Sequence, residues 1–514
     1  MSFKPSHLFT MFFLFVCLLA LSLSTLAQDE QESTPPFVEW TACPFEIPEG
    51  ETEGDSLDCG TLVTYEDHFS DQGEAQVEIA FAILYSNNET STDPVIYLEG
   101  GPGGSALSAV DDWSESNVRE HNDLILVDQR GTGFSLPSLN CIEVENDEGD
   151  DPLVAQQACY DRMVAEGIDL NAYNSAQSAA DIADLMTLLQ DPEEELNYTA
   201  YNLLGISYGT RLALTIIRDH PENVRSAIID SVYPPNVDVY EQEAVDSYRG
   251  LRMLFDGCNA DPDCANAYPD LESVFYDTYD SLNGTPATYE STDPDTGDVS
   301  DQELTGDSFL DLIIQSLYST SAIPELPLVI YEVSEGNYGI VDQIDTGEIA
   351  GRAAHRQDTG DDEGDISDSE GMFNAVECKE ELPFNNLDEA VAASVSIPDP
   401  IHDYLVSSIE DQLAVCDIYG LEPADAIETQ PVTSDIPTLV LSGDYDPITP
   451  PSDAQIAAET LSNSYYFEFP GHGHGITDSD DCATTVVAQF LADPTVEPDG
   501  SCIADLGGPA FVIR

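Results

Sequence analysis

Residues 205–209 read GISYG, follow the short strand pattern YNLL at 201–204 and precede a helical pattern at 210–219. A strand that turns sharply into a helix at G-x-S-x-G holds its serine hydroxyl, here that of Ser207, above a parallel sheet. The glycines are needed because the chain folds back tightly, and a Cβ would collide with neighbouring backbone. The helix behind the serine points its first N–H groups at negative charge developing beside the hydroxyl. Such pentapeptides also occur in ordinary turns, so the surrounding sequence has to decide.

Short strand patterns alternate with helical spacing on both sides of this turn. Strands are predicted at residues 77–84, 94–98, 124–127, 224–229, 437–442 and 465–469, and helices at 175–189, 210–219 and 482–491. This alternation indicates an α/β fold, with a mainly parallel sheet and helices on both faces. The polar–apolar alternation at 77–84 predicts that this strand lies at an edge of the sheet.

An acid and a histidine follow the late strands. A serine at the elbow, then an acid, then a histidine is the order of nucleophile, acid and base in the α/β-hydrolase fold. We therefore predict Ser207 as the nucleophile, Asp446 as the acid that orients the imidazole, and His474 as the base. Asp444 and His472 lie in the same loops and compete with them. The spacing from the strand-ending glycine favours Asp446, and the two flanking glycines favour His474.

The pattern changes between residues 234 and 433, where amphipathic helical stretches alternate with acidic loops such as 358–370. We interpret 234–433 as a helical cap inserted into the sheet domain. The α/β-hydrolase core is then predicted in two parts, at 37–233 and 434–514. The acidic loops lack calcium-loop spacing, so we interpret them as solvated surface.

The N-terminal segment predicts export. Residues 1–27 resemble a signal peptide, with Lys4, an apolar stretch at 8–23 and small residues before the end of the segment. A retained membrane anchor is the alternative, because the apolar stretch is near the shortest that spans a bilayer. Residues 28–36 are predicted to be an acidic leader. The mature chain is expected to be secreted or periplasmic, without stable membrane association.

The cysteines support the same compartment. Of the 11 in the chain, Cys17 lies in the predicted signal peptide. The others form local couples: Cys43 with Cys59, Cys141 with Cys159, Cys258 with Cys264, Cys378 with Cys416, and Cys482 with Cys502. An even count in an exported chain suggests disulfides, although sequence leaves their connectivity open. No couple has C-x-x-C spacing beside histidines, so no metal site is expected.

A glycine-rich loop at residues 100–104 follows a predicted strand. It lacks the Gly-Lys-Ser/Thr of a phosphate-binding loop, and no cofactor is expected. In an α/β hydrolase this position supplies the second donor of the oxyanion hole, because glycines let the backbone approach a substrate carbonyl.

The charge restricts the partners. The chain has 13 lysines plus arginines against 100 aspartates plus glutamates, a formal net charge of −87. This balance excludes nucleic acid and anionic membrane surfaces as natural partners. The excess has two interpretations, a heavily hydrated surface adapted to high salt or an amino-acid bias of the lineage.

Four motifs, at residues 100–104, 128–135, 205–211 and 443–451, resemble those of the prolyl-iminopeptidase and tripeptidyl-aminopeptidase group of secreted serine exopeptidases, including its TAP-like C-terminal region. The resemblance covers nearly the whole predicted mature chain. It implies an oxyanion hole formed by the backbone N–H groups of Gly101 and Tyr208. It also implies that acidic cap residues hold the substrate's free amino group, for which Glu377 and Glu380 are candidates. Glu99 departs from the simpler prolyl iminopeptidases, which carry histidine before the paired glycines.

The resemblance implies an aminopeptidase that releases one to three residues from the free N-termini of peptides through an acyl-enzyme. A carboxylesterase with the same triad is the alternative. A binding protein without catalytic activity is a further alternative, disfavoured because all three triad residues are present.

The charge also leads to a stability prediction. Charges that sum to −87 repel one another in a folded chain. Added salt shortens the screening length from about 30 Å at roughly 0.01 M to about 3 Å at roughly 1 M. We therefore expect the melting temperature at neutral pH to rise steadily over this range of NaCl. A flat or falling series of thermal melts would rule out the salt-adaptation interpretation.

Overall fold

The computed structural model describes residues 34–70, 75–88, 92–145, 152–191, 196, 198–292, 299–345 and 366–514. The predicted signal peptide at 1–27 lies outside the described residues. So do the leader residues 28–33 and the part of the acidic loop at 358–365.

Eleven strands form one large sheet and one hairpin. They are β1 (Phe37–Thr41), β2 (Leu57–Tyr65), β3 (Gln76–Leu84), β4 (Thr92–Leu98), β5 (Asn122–Val127), β6 (Tyr201–Ile206), β7 (Val224–Asp230), β8 (Ala287–Thr292), β9 (Val299–Leu304), β10 (Thr438–Gly443) and β11 (Ser464–Phe469). The sheet has nine strands in the order β1-β2-β3-β5-β4-β6-β7-β10-β11. From β5 to β11 every pair is parallel, whereas β1, β2 and β3 add an antiparallel end. β8 and β9 pair only with each other among the described strands.

The prediction that residues 77–84 form an edge strand is wrong. β3 lies inside the sheet between β2 and β5. Its alternation is confined to its first residues, where Gln76 and Glu78 are exposed, and from Ile79 onwards every residue is buried. The hairpin of β1 and β2 covers what would otherwise be the edge.

Sixteen helices surround the described strands. They are α1 (Val110–Ser114), α2 (Ile142–Glu145), α3 (Pro152–Glu166), α4 (Ser175–Leu189), α5 (Tyr208–Asp219), α6 (Val239–Ala260), α7 (Pro262–Ala267), α8 (Leu271–Gly284), α9 (Gly306–Ser316), α10 (Leu326–Ser334), α11 (Gly339–Asp345), α12 (Glu370–Val376), α13 (Leu387–Ala393), α14 (Asp399–Tyr419), α15 (Pro451–Ala458) and α16 (Asp481–Ala492). Within the described chain no helix is both long and apolar enough to cross a membrane.

The central strands are buried on both faces, as strands of a parallel sheet covered by helices must be. In β4, Ile96 and Leu98 join a core that also contains residues of α3, α4, α5 and α15. Val95 and Tyr97 point to the other face, into a core with residues of α1 and α16. The sheet therefore separates two helical layers.

The chain leaves the sheet after β7 and returns at β10, which pairs directly with β7. Between them lie α6 to α14 and the hairpin of β8 and β9. Much of this inserted segment has an apolar core of its own, with Phe275 and Phe309 fully buried in it. The core strands can therefore remain neighbours although some two hundred residues separate them in sequence, because the insertion folds largely on itself.

Ten cysteines are joined in the five local couples named above. The longest loop is closed by Cys378–Cys416, with a sequence separation of 38, and the shortest by Cys258–Cys264, with a separation of 6. All five therefore tie together segments that are close in the chain.

Loop length leads to a stability prediction. Closing a longer loop removes more conformational entropy from the unfolded chain. Replacing Cys378 and Cys416 together by serine should lower the unfolding free energy by about 4 kcal/mol, and the same change at Cys258 and Cys264 by about 2 kcal/mol. Urea unfolding of the two double variants tests the order. A larger loss at Cys258 and Cys264 would contradict it.

Candidate active site

The elbow at Ser207 lies between β6 and α5 and has a backbone conformation that few side-chain-bearing residues adopt. Ser207 has φ 58° and ψ −127°. A Cβ at Gly209 would lie 1.9 Å from the carbonyl oxygen of Leu98, and one at Gly205 would lie 2.2 Å from that of Gly209. Both glycines are therefore required by the close approach of the turn to its neighbours.

An acid and a base meet at the same edge of the sheet. His474 Nδ1 lies 2.9 Å from Asp446 Oδ2, and Asp446 is fully buried. Asp446 also accepts hydrogen bonds from the backbone N–H groups of Ile448 and Thr449, at 3.0 and 2.9 Å. The Thr449 hydroxyl donates to Asp446 Oδ2 at 2.6 Å and lies 3.1 Å from His474 Nδ1. With four polar contacts, the carboxylate can hold the imidazole in one orientation.

These contacts set the charges of the pair. Burial alone would lower the pKa of His474, but the carboxylates of Asp446, Asp230 and Glu99 together outweigh burial and raise it above its ordinary value. Burial would likewise raise the pKa of Asp446, yet the positive imidazolium and the hydrogen bonds from His474 and Thr449 lower it. Asp446 therefore stays ionised, and His474 can gain and lose a proton beside it.

The competing residues of the two loops face other partners. Asp444 accepts a hydrogen bond from the Gly471 N–H at 2.7 Å, and burial raises its pKa to about 6. His472 Nε2 lies 3.1 Å from Asp480 Oδ2, and its Nδ1 lies 3.0 Å from the carbonyl oxygen of Pro470. The structure thus pairs Asp446 with His474, whereas the side chains of Asp444 and His472 bind other groups.

Asp230, at the end of β7, holds the loop that carries His474. Its Oδ2 accepts hydrogen bonds from the N–H groups of Ile476 and Thr477 and from the Thr477 hydroxyl, each at 2.7 Å. The neighbouring Ser231 hydroxyl accepts the Gly475 N–H at 2.8 Å. Sequence reasoning missed this role, because one strand-ending aspartate among so many acids gives no signal of its own.

The glycine-rich loop after β4 lies against the elbow. A Cβ at Gly100 would lie 3.0 Å from the Cβ of Ser207, so the backbone approaches the serine closely. Gly101 has φ 104° and lines a cavity together with Ser207. The Glu99 carboxylate, at the position that departs from the family pattern, accepts the Gly100 N–H at 2.8 Å. Tyr208 is the first residue of α5, where backbone N–H groups have no partner within the helix.

The cavity beside Ser207 has a volume of about 220 Å³. Much of its wall is apolar, and it includes two acids, Glu377 and Glu243. The other residues around it include Tyr233, Val239, Tyr240, Phe373, Ser408, Gln412 and Ile448. Because most of these belong to the inserted segment, the insertion forms the side of the cavity that faces the serine.

Glu377 is buried, and among the described residues its Oε2 has no hydrogen-bond partner. Burial raises the pKa of Glu377 to about 7. Glu243, on α6, accepts a hydrogen bond from the Ser408 hydroxyl at 3.2 Å, and burial raises its pKa as well. An unpartnered carboxylate oxygen in an enclosed site can accept a hydrogen bond from a cation. Sequence reasoning missed Glu243, which resembles any other acid of an amphipathic helix in this chain.

Glu380 is not placed to touch a substrate, which corrects the expectation above. Its carboxylate accepts the Ser175 N–H and hydroxyl, each at 2.6 Å, and the Arg211 Nε–H at 3.0 Å. It does not line the cavity beside Ser207. Three hydrogen bonds within the protein hold its carboxylate, and it connects the start of α4 to Arg211 on α5.

Glu377–Glu381 is a π-helical turn, which explains the difference between the two acids. The wider turn directs Glu377 into the cavity, whereas Glu380 and Glu381 form ion pairs with the buried Arg211 of α5. Lys379 extends from the outside of the turn and donates to the carbonyl oxygen of Glu422 at 2.9 Å. π-Helical turns inside helices occur frequently at functional sites.

Two family descriptions match the chain. Residues 93–295 match the family described as alpha/beta hydrolase fold, and residues 403–502 match the family described as TAP-like protein. The first match contains Ser207 and the glycine-rich loop, and the second contains Asp446 and His474. Both halves of the site therefore lie in regions with recognisable relatives.

Curated relatives cover most of the sequence. Serine protease Hip1 from Mycobacterium tuberculosis is 25% identical over 505 residues, covering 90% of both chains. Putative hydrolase YuaR from Escherichia coli is 23% identical over 533 residues, covering 97% of both. Tripeptidyl aminopeptidase from Streptomyces lividans is 28% identical over 212 residues, which is 35% of this chain and 36% of the relative. A solved esterase from Thermogutta terrifontis covers 85% of this chain and 99% of its own at 14% identity and a TM-score of 0.38.

The charge balance at His474 leads to a prediction. Because the carboxylates of Asp446, Asp230 and Glu99 together outweigh burial, the pKa of His474 should lie above its ordinary value of 6.5. Asp446→Asn removes the negative charge and leaves burial, so the pKa should then fall below that of the unmodified protein. NMR titration of histidine-labelled protein measures both values, and a His472→Gln variant identifies the competing signal. A pKa that rises or stays constant in Asp446→Asn would contradict the arrangement.

Proposed function

Because the chain is an α/β hydrolase with a TAP-like C-terminal region and serine-protease relatives, we propose that it is an exported serine aminopeptidase. It releases one to three residues from peptide N-termini through an acyl-enzyme. The observation that carries the proposal is that Ser207 and the acids Glu377 and Glu243 line the same cavity.

In the proposed reaction Ser207 Oγ attacks the carbonyl carbon of the scissile peptide bond. His474 Nε2 takes the hydroxyl proton, and the Asp446 carboxylate stabilises the imidazolium through the 2.9 Å contact to Nδ1. The N–H groups of Gly101 and Tyr208 donate to the oxyanion of the tetrahedral intermediate. His474 then protonates the leaving amine. The C–N bond breaks, and an ester remains on Ser207. His474 then takes a proton from water as the water oxygen attacks this ester, and it gives the proton to Ser207 Oγ as the ester bond breaks.

The acids provide the selection for an N-terminus. A buried carboxylate without a partner is costly, and a substrate ammonium that pairs with it removes that cost. Arg211 balances Glu380 and Glu381, so Glu377 is left to pair with an incoming cation. Glu243 adds a second carboxyl group to the same cavity. A cavity of about 220 Å³ holds a short fragment between the ammonium and the scissile bond, which limits the length released.

The five disulfides support the export part of the proposal. Structural disulfides form and persist in oxidising compartments and are rare in the cytosol. They agree with the predicted signal peptide, and the proposed localisation is secreted or periplasmic.

A matched pair of substrates tests the function. A fluorogenic di- or tripeptide amide with a free N-terminus should be hydrolysed much faster than its N-acetylated form, because acetylation removes the charge that Glu377 binds. Glu377→Gln should lower kcat/KM for the free substrate on the order of 10- to 100-fold, through the loss of a charged hydrogen bond, and leave the acetylated form little changed. Glu410→Gln is the control, since Glu410 is an exposed acid on α14, which also supplies Ser408 and Gln412 to the cavity.

Ser207→Ala provides the inactive baseline for both substrates. Equal rates on the free and acetylated peptides would contradict the proposed N-terminal selection. Low activity on both, with fast hydrolysis of a neutral p-nitrophenyl ester, would instead favour the carboxylesterase. Mass spectrometry of a peptide-library digest then gives the length of the released fragment.

A further inference from the structure

One arginine of the inserted segment forms hydrogen bonds with the loop that carries Asp446. Arg249, on α6, donates from Nη1 to the carbonyl oxygen of Asp444 at 2.7 Å and from Nη2 to the carbonyl oxygen of Asp446. One planar guanidinium therefore fixes two carbonyl groups of the acid loop at once.

The helix itself lies directly on the same loop. A Cβ at Gly250 would come within 3.1 Å of the Cβ of Pro447, the residue that follows Asp446. The absence of a side chain at Gly250 thus allows α6 to approach closely enough for Arg249 to reach both carbonyl groups. Two acids flank the arrangement, Asp246 on α6 and Asp453 on α15, and burial raises the pKa of each to about 7.

The other loops of the site are also bound by the insertion. The His474 N–H donates to the carbonyl oxygen of Tyr318 at 2.8 Å, and the Gly473 N–H donates to the Thr320 hydroxyl at 3.1 Å. The rings of Tyr318 and His474 lie 5.0 Å apart. A Cβ at Gly473 would lie 2.3 Å from the carbonyl oxygen of Leu317, so the histidine loop follows the insertion closely.

The glycine-rich loop has a similar contact. The Ser369 N–H donates to the carbonyl oxygen of Gly103, and the Ser105 N–H donates to that of Ser367, each at 2.9 Å. Separate stretches of the inserted segment therefore hold the acid loop, the histidine loop and the glycine-rich loop. The insertion binds the histidine loop and the glycine-rich loop through backbone groups and one small hydroxyl. Its hydrogen bonds to the acid loop come from a single long side chain, that of Arg249.

We propose that Arg249 is a positioning residue for Asp446, and that through it the inserted segment forms part of the catalytic framework. The inference rests on the proposed role of Asp446 as the acid of the reaction. The carbonyl group that Arg249 binds belongs to the same residue as the carboxylate that orients His474. When the peptide planes at 444 and 446 are fixed, the direction of the Asp446 Cα–Cβ bond is fixed with them, and the hydrogen bonds from Ile448 and Thr449 then orient the carboxylate. A lysine, with a single compact ammonium, lacks the fork that spans two carbonyl groups.

Arg249→Ala tests this inference on both the free-amine peptide and a p-nitrophenyl ester. Because the effect acts through the triad, kcat should fall on the order of 10²-fold on both substrates, while KM stays within about threefold. Added ethylguanidinium should restore part of kcat by occupying the vacated space. Arg249→Lys should fall between the alanine variant and the unmodified protein.

Arg252→Ala is the matched control on the same helix. Arg252 pairs with Asp256 and Glu272 towards the surface, so its removal should leave kcat unchanged. Unchanged kcat in Arg249→Ala, a loss confined to KM, or an equal loss in Arg252→Ala would overturn the inference. If Arg249→Ala does not fold, Arg249→Lys decides, because full kcat in that variant would overturn it and reduced kcat would support it. If the unmodified protein cleaves the ester alone, the proposed aminopeptidase function fails, and the ester still measures the role of Arg249.

Discussion

The backbone at Ser207 is the constraint around which the core is built. Its positive φ costs about 1–3 kcal/mol for a residue with a side chain, and it persists only where the surroundings fix it. The Ser207 N–H donates to the carbonyl oxygen of Asp230 on β7, and the Thr210 hydroxyl donates to the carbonyl oxygen of Ser207. Since the Asp230 carboxylate also holds the loop of His474, one strand end connects Ser207 with that loop. A shift of this strand end would therefore disturb both at once.

The chain has few positively charged side chains, and several of its arginines are buried inside the protein. Arg119, Arg130 and Arg211 are among the largest fully buried side chains, each paired with an acid. Arg211 pairs with two glutamates of the π-helical turn, and together they join the helix behind Ser207 to the inserted segment. Four of the buried acids are thus paired with arginine, whereas Glu377 forms no ion pair among the described residues. With a pKa of about 7, Glu377 is a group whose ionised form a cation in the cavity would favour.

Local patterns predicted the α/β-hydrolase fold, and the elbow and the order of Ser207, Asp446 and His474 were read from short stretches of sequence. The features that failed depend on contacts between distant segments. β3 could not be recognised as an interior strand, because its partner β2 lies in a stretch with weak alternation. Residues 377 and 380 would share one face of an α-helix, but the π-helical turn separates them. The role of Arg249 becomes visible only when α6 is seen to lie on the acid loop.

The position of Lys379 has a practical consequence. The lysines of the chain are Lys4, in the predicted signal peptide, and Lys379, on the outside of the turn that carries Glu377. With the predicted signal peptide removed, an amine-reactive fluorophore would attach at Lys379 and at the α-amino group. The dye would be two residues from the acid in the cavity and directed away from it. Lys379 is thus, without engineering, a defined side-chain attachment point for an optical reporter of events at the proposed active site.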